Sequence, residues 1–342
     1  MTPPTLLALR DGRTTAMSEP VDISIIIVNW NVRNLLLGCL ESVLAGLDAS
    51  TGSEDQGHGG TRLRGEVWVV DNASTDGSVE AVQQRFPSVH IIANRTNVGF
   101  PEGNNQALRR CVGATALLLN PDTVVLPGAL AALVRVLQHH PDTGAVGPTL
   151  LNPDGTVQSS RRRFPTLRIG LFESTVVQRY APHAPSLRRY YVLDQPDTEP
   201  LEVDWVHGAC FLVRRAAWER VGLLDTRIHM YSEEVEWLYR IKLAGWKVRY
   251  EPAARVLHYG GQSSAQDVLA RHLRFHESKY YYARLHRSRP EALFLRWFIL
   301  LTYLFQGWEE GLKYLLRQKP ALRRARLGMI ARIVAWHVGW PA

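Results

Sequence analysis

The segment 67–77 reads VWVVDNASTDG, four apolar β-forming residues followed by a carboxylate, an amide and a turn. A continuous apolar run is typical of a parallel strand that is covered on both faces. Ligands of such sheets bind outside the carboxyl ends of the strands. Ser74, Thr75 and Asp76 can cap the helix that follows, but capping does not require Asp71. We therefore expect Asp71 and Asn72 to face a ligand.

Around this segment, strand-like and helix-like runs alternate along the chain. This alternation predicts βαβ units and an α/β fold with a mostly parallel sheet and flanking helices. The first strand is followed by VNWNVRN rather than by G-x-G-x-x-G, which argues against a dinucleotide-binding dehydrogenase. The predicted strands are 23–28, 66–71, 89–93 and 116–120, and the predicted helices are 35–44, 78–86, 102–112 and 233–244.

The composition divides the chain into a main domain and two atypical ends. Of 342 residues, 46% are apolar, as in an ordinary globular protein. We predict a flexible tail over 1–20, a main domain over 21–270 and a flexible insertion over 48–65, which is rich in Gly, Ser and Asp. The region 271–342 carries 14 Lys and Arg against 4 Asp and Glu, so it accounts for the net charge of +8. The three cysteines lack metal-binding spacing and are expected to be buried free thiols.

Polar side chains follow each of the four predicted strands. Because the carboxyl ends of parallel strands meet at one sheet edge, we expect these side chains to form a single site. Amides and a carboxylate can bind a base and a ribose, and a second carboxylate suits a divalent metal that bridges phosphates. The residues are Asn29, Asn31, Asp71, Asn72, Asn94, Asn120 and Asp122.

An ordered set of motifs, from about Ile23 to Ser264, resembles bacterial family 2 glycosyltransferases of the rhamnosyltransferase type. The motifs include VDNASTDGSVE, NRTNVGFPEGNNQAL, LLLNPD, VDWVHGACFLVRRAAWERVGLLD, MYSEEVEWLYRIKLAGW and HYGGQSS. The resemblance implies a GT-A fold and inverting transfer of a sugar from a nucleotide donor. It favours rhamnose from dTDP-rhamnose, moved to a hydroxyl of a lipid-linked or polysaccharide acceptor in cell-envelope glycan synthesis.

The resemblance also assigns donor and metal residues. Asp71 and Asn72 resemble the residues that bind base and ribose, and Asn97, Gly99 and Asn104 resemble the segment that lines the donor pocket. Asp122 matches the last Asp of the D-x-D metal motif, whose first position is Asn120 here. His258 matches a histidine that joins the metal in some relatives. The implied cofactor is Mg²⁺ or Mn²⁺.

Inverting transfer requires one base to take the proton of the acceptor hydroxyl. Relatives usually carry Glu-Asp after MY; this chain has Glu233 and Glu234, and the resemblance assigns the base to Glu234, with Glu233 second. Both glutamates would also stabilise a helix N-terminus without any catalytic role. The resemblance places the acceptor near His207 and Gly208, and Arg162 is a candidate for binding an acceptor phosphate.

Two alternative classes remain open at this point: a non-catalytic module that binds nucleotide sugars or polysaccharide, and a sugar nucleotidyltransferase. The second should carry a Gly-rich phosphate loop after the first strand, and NWNVRN does not supply one.

The run LFLRWFILLTYLF, 293–305, is too short to span a bilayer as a helix of about 20 Å. We expect it to lie at a membrane surface, anchored by Trp297, Tyr303 and Trp308 and flanked by Arg317, Arg323, Arg324 and Arg326. A buried core helix is the alternative. The expected location is the cytoplasmic face of the membrane; no motif indicates nucleic-acid binding, and the oligomeric state is undetermined.

Overall fold

The computed structural model describes residues 21–49, 63–173, 175–262 and 268–339. The predicted tail and most of the predicted insertion lie outside these residues. The insertion boundaries were too wide, because residues 48 and 49 still belong to the first helix and residue 65 begins the second strand.

The predicted strands and helices are present, with end points shifted by up to five residues. In chain order the elements are β1 Ile23–Asn29, α1 Arg33–Ala49, β2 Gly65–Asp71, α2 Ser78–Arg85, β3 His90–Ala93, α3 Phe100–Leu108, β4 Thr115–Leu119, β5 Thr123–Val125, α4 Ala129–His139, β6 Thr143–Leu151, β7 Val157–Gln158, β8 Arg161–Arg162, α5 Leu167–Phe172, α6 Val176–Tyr180, α7 Pro185–Tyr190, β9 Leu201–Val203, β10 Trp205–Val206, β11 Cys210–Arg214, α8 Arg215–Val221, α9 Glu233–Leu243, β12 Lys247–His258, α10 Val268–His286, α11 Arg289–Leu315 and α12 Pro320–Gly339.

The main sheet runs in the order β3-β2-β1-β4-β11-β6-β12-β5. Strands β3, β2, β1 and β4 are parallel to one another, whereas β11 is antiparallel to both of its neighbours. The carboxyl ends of β1, β2 and β4 therefore meet at one edge, as the sequence predicts. All seven residues of β1 are buried, which explains its unbroken apolar run.

Side chains of the sheet alternate between two cores. Ile23, Ile25 and Ile27 pack with α1, α2 and α4, and Ile26 and Val28 pack with α3, α8 and α9 on the other face. The three cysteines, Cys39, Cys111 and Cys210, are buried and free, as predicted.

The C-terminal helices α10, α11 and α12 form a third apolar cluster. One side of α11 faces this cluster, and the other side exposes large apolar residues. Trp297 and Trp308 are 58% and 64% exposed, whereas Tyr303 is 7% exposed and lies in the cluster. The prediction that Tyr303 is a surface anchor was therefore wrong. We call the exposed side the outer face of α11; it consists of Phe294, Trp297, Leu301, Leu304, Phe305, Trp308, Leu312 and Leu315.

Charged residues are distributed unevenly over these helices. Arg296, the single charge in the run 293–305, turns inward and donates from Nε to the carbonyl of His337 at 3.1 Å. Arg323 and Arg326 pair with Glu310 at 2.8 and 3.3 Å, so two of the four predicted lipid-facing arginines share one carboxylate, which offsets one of their two charges. Within the described residues, none of the helices combines the length and the apolar character needed to cross a bilayer.

Candidate active site

A cleft of about 660 Å³ opens at the carboxyl ends of β1, β2 and β4. Six of the predicted donor and metal residues lie on its wall, which confirms that the strand ends converge. They share the wall with residues of the loop before α9, of the loop after β12 and of α10. The six are Asn29, Asn72, Asn97, Gly99, Asn120 and Asp122.

Asp71 lies directly behind this wall. Its carboxylate accepts hydrogen bonds from Asn29 Nδ2 at 2.8 Å and from the backbone N–H of Ser74 at 2.8 Å. Asn31 accepts from the N–H of Thr75 at 2.7 Å and holds the same turn. Asp71 and Asn31 therefore position the turn and the Asn29 amide.

Hydrogen bonds between amide side chains link the ends of β2 and β3. Asn94 Nδ2 donates to Asn72 Oδ1 at 2.9 Å, and Asn72 Nδ2 donates to the carbonyl of Gly99 at 3.2 Å. Gly99 has φ of 87°, and a Cβ there would lie 2.9 Å from the ring and from the carbonyl of His229, so only glycine fits. Asn104 instead caps the first turn of α3, donating to the carbonyl of Phe100 at 2.9 Å.

Asp122 and His258 approach each other at the metal position. His258 Nε2 lies 3.5 Å from Asp122 Oδ1, and His258 Nδ1 bonds Gln158 Oε1 at 2.7 Å. Because the amide oxygen only accepts, His258 Nδ1 carries a hydrogen, and Nε2 faces the Asp122 carboxylate.

Asp122 and His258 can provide two neighbouring ligands of a divalent metal ion. Burial raises the pKa of Asp122, but hydrogen bonding and charge from His258 outweigh it, so the net pKa is lowered and the carboxylate is ionised. Within the described ranges, His, Cys, Asp and Glu do not form a cluster of three or more suited to a metal. Further ligands would have to come from the substrate diphosphate or water, as is usual for Mg²⁺.

Glu233 and Glu234 begin α9, directly after two residues in a left-handed conformation. Tyr231 and Ser232 have φ of 71° and 65°, which is unfavourable for side chains of this kind. Such strain is concentrated at functional sites. Glu234 Oε1 accepts from the backbone N–H of Gly208 at 3.3 Å, so the glutamate that contacts the predicted acceptor segment is Glu234.

Both carboxyl groups are buried and each has one oxygen without a hydrogen-bond partner in the described part of the chain. Burial and the charge of Glu234 raise the pKa of Glu233 well above its usual range. Burial also raises the pKa of Glu234, but the Gly208 N–H and the charge of Arg162 limit the increase. Of the two, Glu234 is the carboxyl group whose ionised form is stabilised by the Gly208 N–H and by a nearby cation, as a general base requires.

The predicted acceptor residues adjoin this pair. Arg162 lies over the Tyr191 ring at 4.5 Å and donates to Ser159 Oγ at 2.6 Å; burial lowers its pKa. His207 Nδ1 accepts from the N–H of Ala209 at 3.1 Å, and burial together with His258 lowers its pKa to about 3. His207 is thus neutral, and Arg162 provides the positive charge.

Among the residues of the cleft wall that were not predicted from the sequence are His229, Met230 and Arg274. Arg274 belongs to α10, which is held to the loop before α9 by a hydrogen bond of 2.7 Å from Ser278 Oγ to the carbonyl of Met230. Met230 begins the motif MYSEE, which contains the two glutamates, and His229 directly precedes it. This position was the signal that could have identified both residues. No signal in the sequence indicated that α10 returns to the cleft.

Comparison with known proteins places this geometry in a family. The family model "Glycosyl transferase family 2" matches residues 24–222. An N-acetylglucosaminyl-diphospho-decaprenol L-rhamnosyltransferase of Mycobacterium tuberculosis is 33% identical over 244 residues, covering 68% of this chain and 78% of its own length. The O-antigen biosynthesis protein RfbC of Myxococcus xanthus is 28% identical over 60% of this chain and 16% of its own length.

Two solved structures share the fold. The mannosyltransferase PcManGT from Pyrobaculum calidifontis, in complex with GDP-Man and Mn²⁺, superposes with a TM-score of 0.53 at 18% identity, covering 94% of this chain and 87% of its own. GalNAc-T7 with UDP, GalNAc and Mn²⁺ gives a TM-score of 0.50 at 16% identity, covering 70% of this chain and 43% of its own, so the chain spans less than half of that protein. The mostly parallel sheet with flanking helices confirms the predicted GT-A-type fold, and the chain belongs to the family 2 glycosyltransferases.

Proposed function

We propose that this glycosyltransferase moves rhamnose from dTDP-rhamnose, with inversion, to a hydroxyl of a lipid-linked sugar diphosphate in cell-envelope glycan synthesis. The observation that carries the proposal is the pair Glu233 and Glu234 at the start of α9, next to a cleft lined by amides and Asp122; each carboxyl group has one buried oxygen without a hydrogen-bond partner among the described residues. A module that only binds nucleotide sugars has no need to bury an acidic pair with raised pKa values. The name of the mycobacterial relative supports both the sugar and the class of acceptor.

In this proposal Glu234 accepts the proton of the acceptor hydroxyl. The hydroxyl oxygen then forms a bond to the anomeric carbon as the bond from that carbon to the diphosphate breaks. The Gly208 N–H holds one oxygen of Glu234, and the other oxygen has no hydrogen-bond partner among the described residues, so it is available to take the proton. Burial and the charge of an ionised Glu234 favour the protonated form of Glu233.

On the donor side, Asn29 and Asn72 present amides for the base and ribose, and Asp71 fixes the Asn29 amide. Asp122 and His258 would hold Mg²⁺ or Mn²⁺, which would stabilise negative charge on the departing diphosphate. Asn120 stands at the first aspartate position of the D-x-D motif, so the protein offers fewer negative charges to the ion. Arg274 supplies a further positive charge on the same cleft wall.

We also propose that the outer face of α11 binds an anionic lipid surface on the cytoplasmic side of the membrane. This face continues for about 30 Å from Phe294 to Leu315. Arg317 and Arg324 are exposed next to it and make no ion pair with a described carboxylate. Apolar residues flanked by arginines match an interface of acyl chains and anionic headgroups.

The direct test is release of nucleoside diphosphate from a panel of nucleotide sugars, with and without a prenyl-diphosphate-linked N-acetylglucosamine. We expect release from dTDP-rhamnose that depends on the acceptor. Release from another donor would change the assigned sugar but keep the transfer reaction. Binding of nucleotide sugars without any acceptor-dependent release would contradict the proposal.

A further inference from the structure

A second cavity, of about 550 Å³, lies between α10, α11 and the loop before α9. We propose that this cavity binds the diphosphate of the lipid-linked acceptor; the proposal rests on the function proposed above. Its lining combines cationic and aromatic side chains: Tyr231, Arg271, His272, Phe275, His276 and Tyr303. We call it the α10–α11 cavity.

Arg271 supplies the charge that an anionic ligand requires. It makes no hydrogen bond or ion pair with any other residue that the structure describes, unlike Arg240, which bonds Glu236 and two carbonyls. Burial and the neighbouring charge of Arg271 lower the pKa of His272, so His272 is a neutral hydrogen-bond donor or acceptor there. A partly buried arginine with no carboxylate partner among the described residues is well suited to a phosphate.

The back wall of the cavity is neutral and rigid. His276 is 2% exposed and bonds the Tyr303 hydroxyl through Nε2 at 2.6 Å. Burial and His337 lower the pKa of His276 to about 3, so it stays uncharged and leaves Arg271 as the cation of the lining. Phe275, Tyr231 and Tyr303 offer aromatic surface for an apolar group attached to the anion.

The cavity adjoins the catalytic pair through the strained turn. Tyr231 lines the cavity and lies three residues before Glu234, and its ring packs edge-on against Phe275 at 6.0 Å. In an N-acetylglucosaminyl diphosphate, a single sugar ring separates the accepting hydroxyl from the diphosphate. A diphosphate site must therefore lie near the base, and Tyr231 joins this cavity to the turn that leads into Glu234.

The cavity also adjoins the outer face of α11. Tyr303 lines the cavity, and the next two residues, Leu304 and Phe305, are exposed on that face. A prenyl diphosphate keeps its chain in the bilayer and its phosphates at the headgroup level. Helix α11 thus connects the proposed lipid surface to the proposed diphosphate site. A binding site for a soluble anion would not need this connection to the membrane.

Arg274, one turn further along α10, lines the donor cleft instead. The helix therefore presents one arginine to each of two neighbouring sites, and each arginine can be tested separately. Arg284 on the same helix is exposed and lines neither site, so Arg284→Ala is the matched control.

The experiment compares transfer to N-acetylglucosaminyl-diphospho-farnesol with transfer to farnesyl N-acetylglucosaminide, which lacks the diphosphate. We expect Arg271→Ala to raise KM for the diphosphate acceptor by about 10- to 100-fold, the loss typical of one charge-assisted hydrogen bond. The donor KM and the KM for the acceptor without diphosphate should not change, and Arg271→Lys should recover part of the loss. An unchanged KM, or an equal rise for both acceptors, would overturn the proposal.

A binding measurement separates this proposal from the proposed function. Farnesyl diphosphate is titrated into the full chain by calorimetry, with the donor cleft saturated by dTDP. We expect binding that Arg271→Ala weakens about 10-fold or more and Arg284→Ala leaves unchanged, even if no transfer is detected. Absence of binding to the unmodified protein would overturn the proposal, as would equal affinity for inorganic pyrophosphate, which would indicate a site for free anions.

Discussion

Replacing Glu234 by Gln tests the assignment of the base with little change in shape. Gln retains an oxygen that can accept the Gly208 N–H, which lies 3.3 Å from Glu234 Oε1. It cannot take a proton at neutral pH, and general bases typically contribute about 10²–10⁴-fold to the rate. We therefore expect kcat to fall by about 10²-fold or more, while donor affinity stays within about twofold because Glu234 is not on the donor wall.

Glu233→Gln is the matched control. Burial and the charge of Glu234 raise the pKa of Glu233 and so favour its neutral form, which Gln resembles. We expect a much smaller loss of kcat. The assay is initial-rate transfer, with calorimetric titration of the donor to separate binding from chemistry.

The pH dependence gives a second readout of the same assignment. A base must be ionised, and burial raises the pKa of Glu234, so activity should fall as pH decreases through a value above that of an ordinary glutamate. Because the Arg162 charge lowers this pKa, Arg162→Met should move the acid limb to higher pH.

Two results would refute the reasoning. If Glu233→Gln abolished transfer and Glu234→Gln only slowed it, the base would be one residue earlier. If both variants kept most of their activity, the pair would act only through the electrostatics of the helix N-terminus.

Three further predictions concern the donor wall, the metal and the membrane. Asp71→Asn should weaken donor binding by about 10- to 100-fold, since it removes the charge that holds Asn29; unchanged affinity by calorimetry would exclude this role. Chelation with EDTA should abolish transfer, and Mg²⁺ or Mn²⁺ should restore it; full activity after chelation would show that Asp122 needs no ion. Changing Trp297 and Trp308 to Ser should reduce binding to anionic vesicles about tenfold or more in a flotation assay, because both side chains are exposed on the outer face of α11. If the unmodified protein does not bind such vesicles at low salt, this face has another role.

The convergence of the donor residues was predictable because it follows from the geometry of parallel strands. Asp71, Asn72 and Asp122 each end a strand or follow one, and parallel strands deliver such positions to a single edge. Six of the predicted residues line the cleft, but the residue types did not distinguish them from Asn31 and Asn104, which do not line it. Asn104 and Asn31 are bound to nearby backbone, and such local hydrogen bonds depend on turn conformations that the residue types alone do not determine.

The C-terminal region shows where the sequence pattern is ambiguous. The run 293–305 is apolar on all sides of a helix, so its periodicity does not indicate which side is buried. Tyr303 was therefore predicted to be a surface anchor, although it turns inward to His276, as Arg296 turns inward to His337. Arg274 reaches the cleft from a helix more than 150 residues after Asn120, a long-range contact that no local motif records.

The central claim is tested most directly by analysing the product of a single reaction. Purified protein, dTDP-rhamnose, Mg²⁺ and N-acetylglucosaminyl-diphospho-farnesol are incubated, and the lipid product is examined by mass spectrometry and by NMR of the anomeric carbon. The account predicts a gain of one deoxyhexosyl residue, with the anomeric configuration opposite to that of the donor. A product with the donor's configuration, or no glycosylated lipid with any nucleotide sugar tested, would contradict it.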